Sequence, residues 1–289
     1  MTRLGIAFAA GMLVVGCLVL TAVVGCSDSA PQSEVLAAGS QASALAKTPS
    51  VDQNEGTGKG MAALREAAQS GKYLFAFFFK AKDEQTLAMR KVFDKAMEKL
   101  ADRARRIAVN ITDASERAVV DKFDLSRAPM PLVLAIAPNG AITGGFPTTF
   151  EEQQLVDAFA TPGTERVMKS LQDGKLVFVC VQNDKTKSND AAMQGVRDFQ
   201  ADVRFASATE IVTLDPAEKK EASFLKDLRV SPDTAEAVTV FLAPPGKAIG
   251  KFEGATNKDA LAELISKASS GCCCGPNGCG PGGCCPKKE

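Results

Sequence analysis

Two stretches of this chain lie over one another without a gap: IAVNITDASERAVVDKFDLS, Ile107 to Ser126, and VTLDPAEKKEASFLKDLRVS, Val212 to Ser231. Further on, LAIAPNGAITGGF (Leu134 to Phe146) echoes VFLAPPGKAIGKF (Val240 to Phe252). Each copy opens on an apolar run behind a Gly-Lys pair, KYLFAFFF from Lys72 and KLVFVCV from Lys175. A pattern repeated at this interval constrains the chain to two units of like architecture. The length of 289 residues leaves roughly 100 for each.

Pattern gives the elements of the first copy. Met61 to Ser70 reads as a helix stopped at Gly71. Tyr73 to Phe79 is a continuous apolar run, the mark of a strand buried on both faces. Its phenylalanines Phe75, Phe77, Phe78 and Phe79 read as core. Asp83 to Leu100 carries Leu87, Val92, Phe93, Met97 and Leu100 at near-helical spacing. A strand over Arg106 to Ile111 and a short helix over Glu116 to Phe123 follow. Leu132 to Ala137, the Pro138-Asn139-Gly140 turn and Ala141 to Phe146 make a hairpin, and Glu151 to Phe159 a closing helix. The charged stretches Lys99 to Arg106 and Ala217 to Glu221 read as solvated helix ends and loops.

That order, a leading helix and then βαβαββα with Pro131 directly before the hairpin strand, resembles the thioredoxin-like fold. The resemblance covers Met61 to Phe159 well and Gly174 to Lys267 more weakly. It implies an α/β fold class of two tandem thioredoxin-like domains, each a central mixed sheet flanked by helices. It also implies a cis bond at Met130-Pro131, facing the active-site groove, and no such bond in the second copy, where Ala237 stands in place of Pro131.

Thioredoxin-like oxidoreductases carry CxxC at the start of the helix after the first buried strand, where the helix N-terminus lowers a thiol's pKa. In FFFKAKDEQTLAMRKVF those positions hold Asp83 and Thr86, and the second copy, VCVQNDKTKSNDAAM, has no CxxC either. Neither Asp nor Thr can take part in disulfide exchange. By the same resemblance, Asp83, Thr86 and Pro131 are the candidate contacts of a groove that holds extended peptides. Cys180, inside the apolar run Leu176 to Val181, reads as inert packing because burial raises a thiol's pKa. The chain has no histidine, which excludes a Ser/His/Asp set. Its 34 basic and 34 acidic residues form no basic stripe, so no nucleic-acid partner is expected.

The first residues, MTRLGIAFAAGMLVVGCLVLTAVVGC, place Arg3 before an apolar stretch from Leu4 to Val24 and end in Val23-Val24-Gly25-Cys26. They resemble a bacterial lipoprotein signal peptide. The resemblance implies cleavage before Cys26, lipid on Cys26, and an extracytoplasmic body anchored to the membrane in the cell envelope. The alternatives are the second match at Val14-Val15-Gly16-Cys17 and an uncleaved membrane helix. Ser27 to Gly60 is rich in Ser, Ala, Gln and Gly and reads as a disordered tether. Within it Gly56-Thr57-Gly58-Lys59-Gly60 departs from a phosphate loop, with Gln53 where the first glycine belongs and Gly60 where a Ser or Thr belongs.

The other end concentrates the sulfur. Cys272, Cys273, Cys274, Cys279, Cys284 and Cys285 lie in CCCGPNGCGPGGCCPKKE, while the chain has nine cysteines in all. Three readings stand together: a soft-metal site for Cu(I), Zn or Cd, disulfides within the tail or between molecules, and a thiol relay replacing the missing CxxC. The organisation is then 1–25 signal peptide, 26–60 lipidated cysteine and tether, 61–162 first domain, 163–268 second domain and 269–289 tail. The expected function is a non-enzymatic binding or scaffold module whose partner is another envelope protein. The alternative is a thiol-disulfide oxidoreductase acting through the tail.

Overall fold

A computed structural model describes residues 58–269. The expected signal peptide, Cys26, most of the expected tether and the cysteine-rich tail lie outside the described residues. The first unit runs α1 (Lys59–Gln69), β1 (Tyr73–Phe79), α2 (Glu84–Lys99), β2 (Ala104–Asn110), α3 (Arg117–Lys122), β3 (Leu132–Ile136), β4 (Ile142–Pro147) and α4 (Glu152–Val156). The second runs α5 (Pro162–Gln172), β5 (Leu176–Val181), α6 (Asn189–Gln200), β6 (Thr209–Leu214), α7 (Ala222–Asp227), β7 (Val238–Ala243), β8 (Lys247–Glu253) and α8 (Lys258–Ser269). The sheets are ordered β2-β1-β3-β4 and β6-β5-β7-β8. In each, the outer strand β2 or β6 runs parallel to the central strand and the hairpin runs antiparallel to it. These are two tandem thioredoxin-like α/β units, the second as complete as the first.

The central strands are apolar throughout because helices cover both faces. Tyr73, Phe75 and Phe77 pack with Phe93 and Met97 of α2 and Leu155 of α4. Leu74, Ala76 and Phe78 pack with Ala67 of α1 and Val119 and Val120 of α3. Each fully buried phenylalanine contributes roughly 1.5–3 kcal/mol. The second unit repeats the division, with Val177, Val179 and Val181 against α5 and α7, and Phe178 and Cys180 against α6 and α8. Cys180 thus takes the place in its sheet that Phe77 takes in the first.

Three local departures from sequence expectation have physical causes. β2 begins at Ala104, two residues before the expected Arg106, because Tyr73 and Leu74 pair with Ala104 and Arg105. The arginines are carried on exposed positions with ion pairs, Arg105 to Glu66 at 2.5 Å and Arg106 to Asp94 at 3.1 Å. The closing helix α4 stops at Val156 rather than Phe159. Phe159 instead lies 4.5 Å from the Tyr73 ring and beneath the Arg103 guanidinium at 4.0 Å. A second cis bond occurs at Pro244–Pro245, in the turn between β7 and β8, beside the expected one at Met130–Pro131.

A further departure concerns two glutamates. Helix α1 starts at Lys59, inside the stretch expected to be tether, because Glu116 reaches its first turn from 57 residues away. The Lys59 N–H donates to Glu116 Oε1 at 3.0 Å and the Gly60 N–H to Oε2 at 2.9 Å. Glu221, expected among solvated charges, is buried and does the same for α5. It accepts from the Thr161 hydroxyl at 2.6 Å and from the Gly163 N–H at 3.3 Å. Glu116 and Glu221 are the same position of the gap-free repeat, and both are about 5–6 % exposed. A carboxylate there satisfies orphan helix donors and complements the dipole. Glycine is required alongside: a Cβ on Gly60 would sit 2.7 Å from Val119 Cγ1, and one on Gly163 would sit 2.7 Å from Glu221 Oε1.

The units are joined through α5. Its Gln172 side chain accepts from the Ile142 N–H at 2.9 Å and donates to the Ile142 carbonyl at 2.7 Å, closing the outer edge of β4. Glu165 accepts from the Tyr73 hydroxyl, which itself accepts from the Ala160 N–H at 2.9 Å. Burial holds both groups toward their protonated forms: the Tyr73 phenol is pushed well up by desolvation and by the Glu165 carboxylate, and Glu165 is raised by desolvation against the pull of the Tyr73 bond.

Two outcomes follow for variants. Glu116→Ala and Glu221→Ala each remove a buried acceptor of helix donors, and each is expected to lower unfolding free energy by about 2–3 kcal/mol, read from urea midpoints. The surface replacement Glu98→Ala, at an exposed position of α2, is expected to leave it within about 0.5 kcal/mol. Glu165 has a raised folded-state pKa, so its contribution is fully present below the unfolded value of 4.5 and is lost as pH rises through the folded value. Glu165→Gln keeps the acceptor for Tyr73 but does not ionise. The stability of the variant relative to wild type should therefore rise from pH 4 to 7, and a difference that is constant with pH would contradict this assignment.

Candidate functional site

The loop between β1 and α2, residues 80–83, lies where thioredoxin-like oxidoreductases carry their thiols. Asp83 is the N-cap of α2: its side chain accepts from the Thr86 N–H at 2.8 Å. The backbone and hydroxyl of Thr86 together hold the exposed carboxyl below its usual range. Thr86 is itself buried, at 5 % exposure, with its donors turned to Asp83. The Asp83 carboxylate is engaged in that capping rather than free.

Pro131 reaches the same region from β3, behind its cis bond to Met130. The link to α2 runs through residues that sequence reasoning did not single out. The Thr148 N–H donates to the Pro131 carbonyl at 2.6 Å, and Gln85 Nε2 donates to the Thr148 carbonyl at 3.2 Å. Thr148 takes a positive φ of 60°, which turns that carbonyl toward the helix. The signal for this corner lay in the repeat, because Thr148 corresponds to Gly254, whose φ is 79° and whose N–H donates to the Ala237 carbonyl at 2.8 Å. Leu87, in the second turn of α2, is half exposed and is one of two large apolar side chains of the described residues left so.

In the second unit the corresponding loop, residues 182–188, is longer and bonded to itself. Thr186 Oγ1 accepts from the Asn183 N–H at 2.9 Å, Asn189 Nδ2 donates to the Asn183 carbonyl at 2.8 Å, and Asn183 Nδ2 donates to Asp215 at 2.7 Å. Lys187 pairs with Glu236 in a parallel bridge. The Glu236–Ala237 bond is not cis; among the described residues the cis bonds are those at Pro131 and Pro245.

Cys180 is the free thiol of the described residues, 2 % exposed in β5 opposite Thr239 of β7. Desolvation pushes it up to about 12, against the Thr239 hydroxyl and the more distant Arg197 charge. Such a thiol has almost no thiolate near neutral pH. Among the described residues no group of three or more Cys, Asp or Glu side chains is disposed to hold a metal ion. Nor, among them, is any helix long and apolar enough to cross a membrane. A surface hollow of about 620 Å³ is lined by Asp198, Asp202, Asn257, Lys258 and Asp259. Its carboxylate Asp202 is neutralised by Arg204 at 2.8 Å and Lys258 at 3.2 Å and is held well below the usual range, chiefly by the Arg204 bonds.

No family model and no curated protein matches this chain. Solved structures are similar to it at low identity. A disulphide isomerase from Xylella fastidiosa is 12 % identical, over 38 % of this chain and 92 % of that one, at a TM-score of 0.29. Thioredoxin O2 from Arabidopsis thaliana is 15 % identical, over 34 % and 80 %, at 0.28. The first two thioredoxin domains of Eps1p from Saccharomyces cerevisiae are 10 % identical, over 71 % and 95 %, at 0.26. The fold itself is defined by the strand order and pairing of the two sheets.

Proposed function

We propose that this chain is a lipid-anchored, extracytoplasmic protein whose two thioredoxin-like units serve as a non-enzymatic binding or scaffold module for another envelope protein. Its tail thiols would bind a soft metal, Cu(I) or Zn, or form an attachment disulfide. The observation that carries the non-enzymatic part is the state of the α2 N-terminus. The position that would activate a thiolate is filled by a carboxylate committed to the Thr86 N–H, and the thiol of the described residues, Cys180, is buried in the other sheet. Lipid on Cys26 rests on the Val23-Val24-Gly25-Cys26 string, and metal or disulfide chemistry on the density of Cys272, Cys273, Cys274, Cys279, Cys284 and Cys285. Palmitate labelling of a Cys26 peptide tests the first. Elemental analysis and thiol counting against a tail-deleted variant test the second.

The tail also favours one competing reading, a thiol-disulfide oxidoreductase whose cysteines have moved out of the folded units. Insulin reduction by dithiothreitol decides between them. The mature protein should not accelerate turbidity above the rate with reductant alone. Catalysis that vanishes when the six tail cysteines become serine would replace the binding reading with the oxidoreductase one.

A further inference from the structure

Helix α5 belongs to the second unit but spends one face on the first. Gln172 holds both main-chain groups of Ile142 in the edge strand β4, and Glu165 holds the Tyr73 hydroxyl. Met168 packs on the first unit's core, and Lys169 lies against the turn at Gly140, its Cε 3.5 Å from where a Cβ there would stand. Positions 165, 168, 169 and 172 make one stripe at helical spacing. Helix α1 stands in the same register. Gly60 matches Gly163 at the buried glutamate, and Gly71-Lys72 matches Gly174-Lys175, with no gap between. The stripe of α1 is therefore Ala62, Arg65, Glu66 and Gln69, and all four are exposed. The Gln69 amide, at the place of Gln172, bonds no described residue.

The sheet edges show the reciprocal difference. Ile142 pairs with Ile136 beside a bulge, and Ala248 pairs with Leu242 beside the matching bulge. By that register the N–H and carbonyl of Ala248, like those of Ile142, turn away from the sheet. No described residue takes them, and Lys247 and Ala248 are exposed. The chain thus closes β4 with a glutamine from the next unit. It leaves β8 open at one end of the tandem and the matching glutamine unused at the other. An open edge of this kind is a template for pairing.

We propose that the β8 edge of one copy receives helix α1 of a second copy, Gln69 taking both main-chain groups of Ala248 as Gln172 takes those of Ile142. The occupant follows from the chain itself, which already makes this contact once, between its own units. Charge supports it: Glu66, at the place of Lys169, would come beside Gly246 and Lys247, and Lys247 forms no ion pair with a described residue. The contact is heterologous. Each copy offers α1 to one neighbour and β8 to the other, so copies join head to tail. The α1 stripe is polar where α5 has Met168, which makes the contact weaker than the one within the chain. The inference goes beyond the binding reading above and does not depend on it.

The test mixes equal amounts of unlabelled and ¹⁵N-labelled full-length protein, reduced and held in a mild detergent, and joins carboxylate to amine with a carbodiimide. Peptide pairs linking Glu66 of a labelled copy to Lys247 of an unlabelled one, and the reverse, are expected in the mass spectrum. Gln69→Ala should cut their yield about tenfold, and so should Ala248→Pro, which removes the outward N–H and leaves the bonds to β7 in place. Mixing labelled Ala248→Pro with unlabelled Gln69→Ala should restore the pair in one polarity alone, labelled Glu66 to unlabelled Lys247. No mixed pair in the wild type, a yield unmoved by both substitutions, or both polarities in the variant mixture would overturn the proposal. So would mixed pairs that appear only after residues 270–289 are removed, which would make the chain's own tail the occupant of β8.

Discussion

A buried carboxylate set against the first turn of a helix holds each unit together. Glu116 and Glu221 stand at one position of the repeat, between the outer strand and the short helix, and each reaches back more than fifty residues to the helix that opens its unit. Without them the N-terminal donors of α1 and α5 would be buried with no acceptor, which is expensive. With them, α1 and α3, and α5 and α7, are fixed as one layer on one face of each sheet. The glycines at 60 and 163 are consequences, since only their lack of a Cβ lets the carboxylate close in. The same bonds leave no room for phosphate at the start of α1, where the Lys59 and Gly60 N–H groups already donate to Glu116.

With the opening helices fixed, the two sheets differ mainly in the loops after their central strands. The first unit has a short loop that ends in the Asp83 cap, and the second a longer one sewn to Glu236. The first closes the start of α2 with a side-chain oxygen, the second is bonded to itself and puts no side-chain cap on α6, and neither holds a cysteine. The chain therefore has the thioredoxin-like fold with the N-termini of α1, α2 and α5 committed to structural carboxylates. Fold and chemistry part at this point, as they do in many widely used folds.

Much of this was legible beforehand. The continuous run Tyr73 to Phe79 could only be a strand covered twice, and Pro131 before the hairpin marked the one corner that now carries the expected cis bond. The gap-free repeat already aligned Glu116 with Glu221, yet charge alone argues for solvent, and only the helix start packed over each shows why they are inside. Arg105 and Arg106 misplaced the start of β2 for a related reason, because main-chain pairing with β1 outweighs the preference of two side chains that can still reach Glu66 and Asp94. The Thr148 turn showed in the sequence only as the repeat's match of Thr148 to Gly254, and the Lys187 bridge was beyond sequence reasoning, since it depends on a lengthened loop that leaves no periodic trace. The proposed lipid and tail chemistry belong to residues outside 58–269.

The account turns on the absence of reactive sulfur from the folded units. The direct measurement is a redox titration of the chain with Cys17, Cys26 and the six tail cysteines replaced by serine, leaving Cys180. The protein is equilibrated with glutathione couples from about −180 to −300 mV and weighed intact by mass spectrometry. The account predicts a single unmodified mass at every potential while the protein is folded, with a glutathione adduct appearing only after denaturant exposes Cys180. A reversible adduct on the folded protein, titrating with potential, would contradict it.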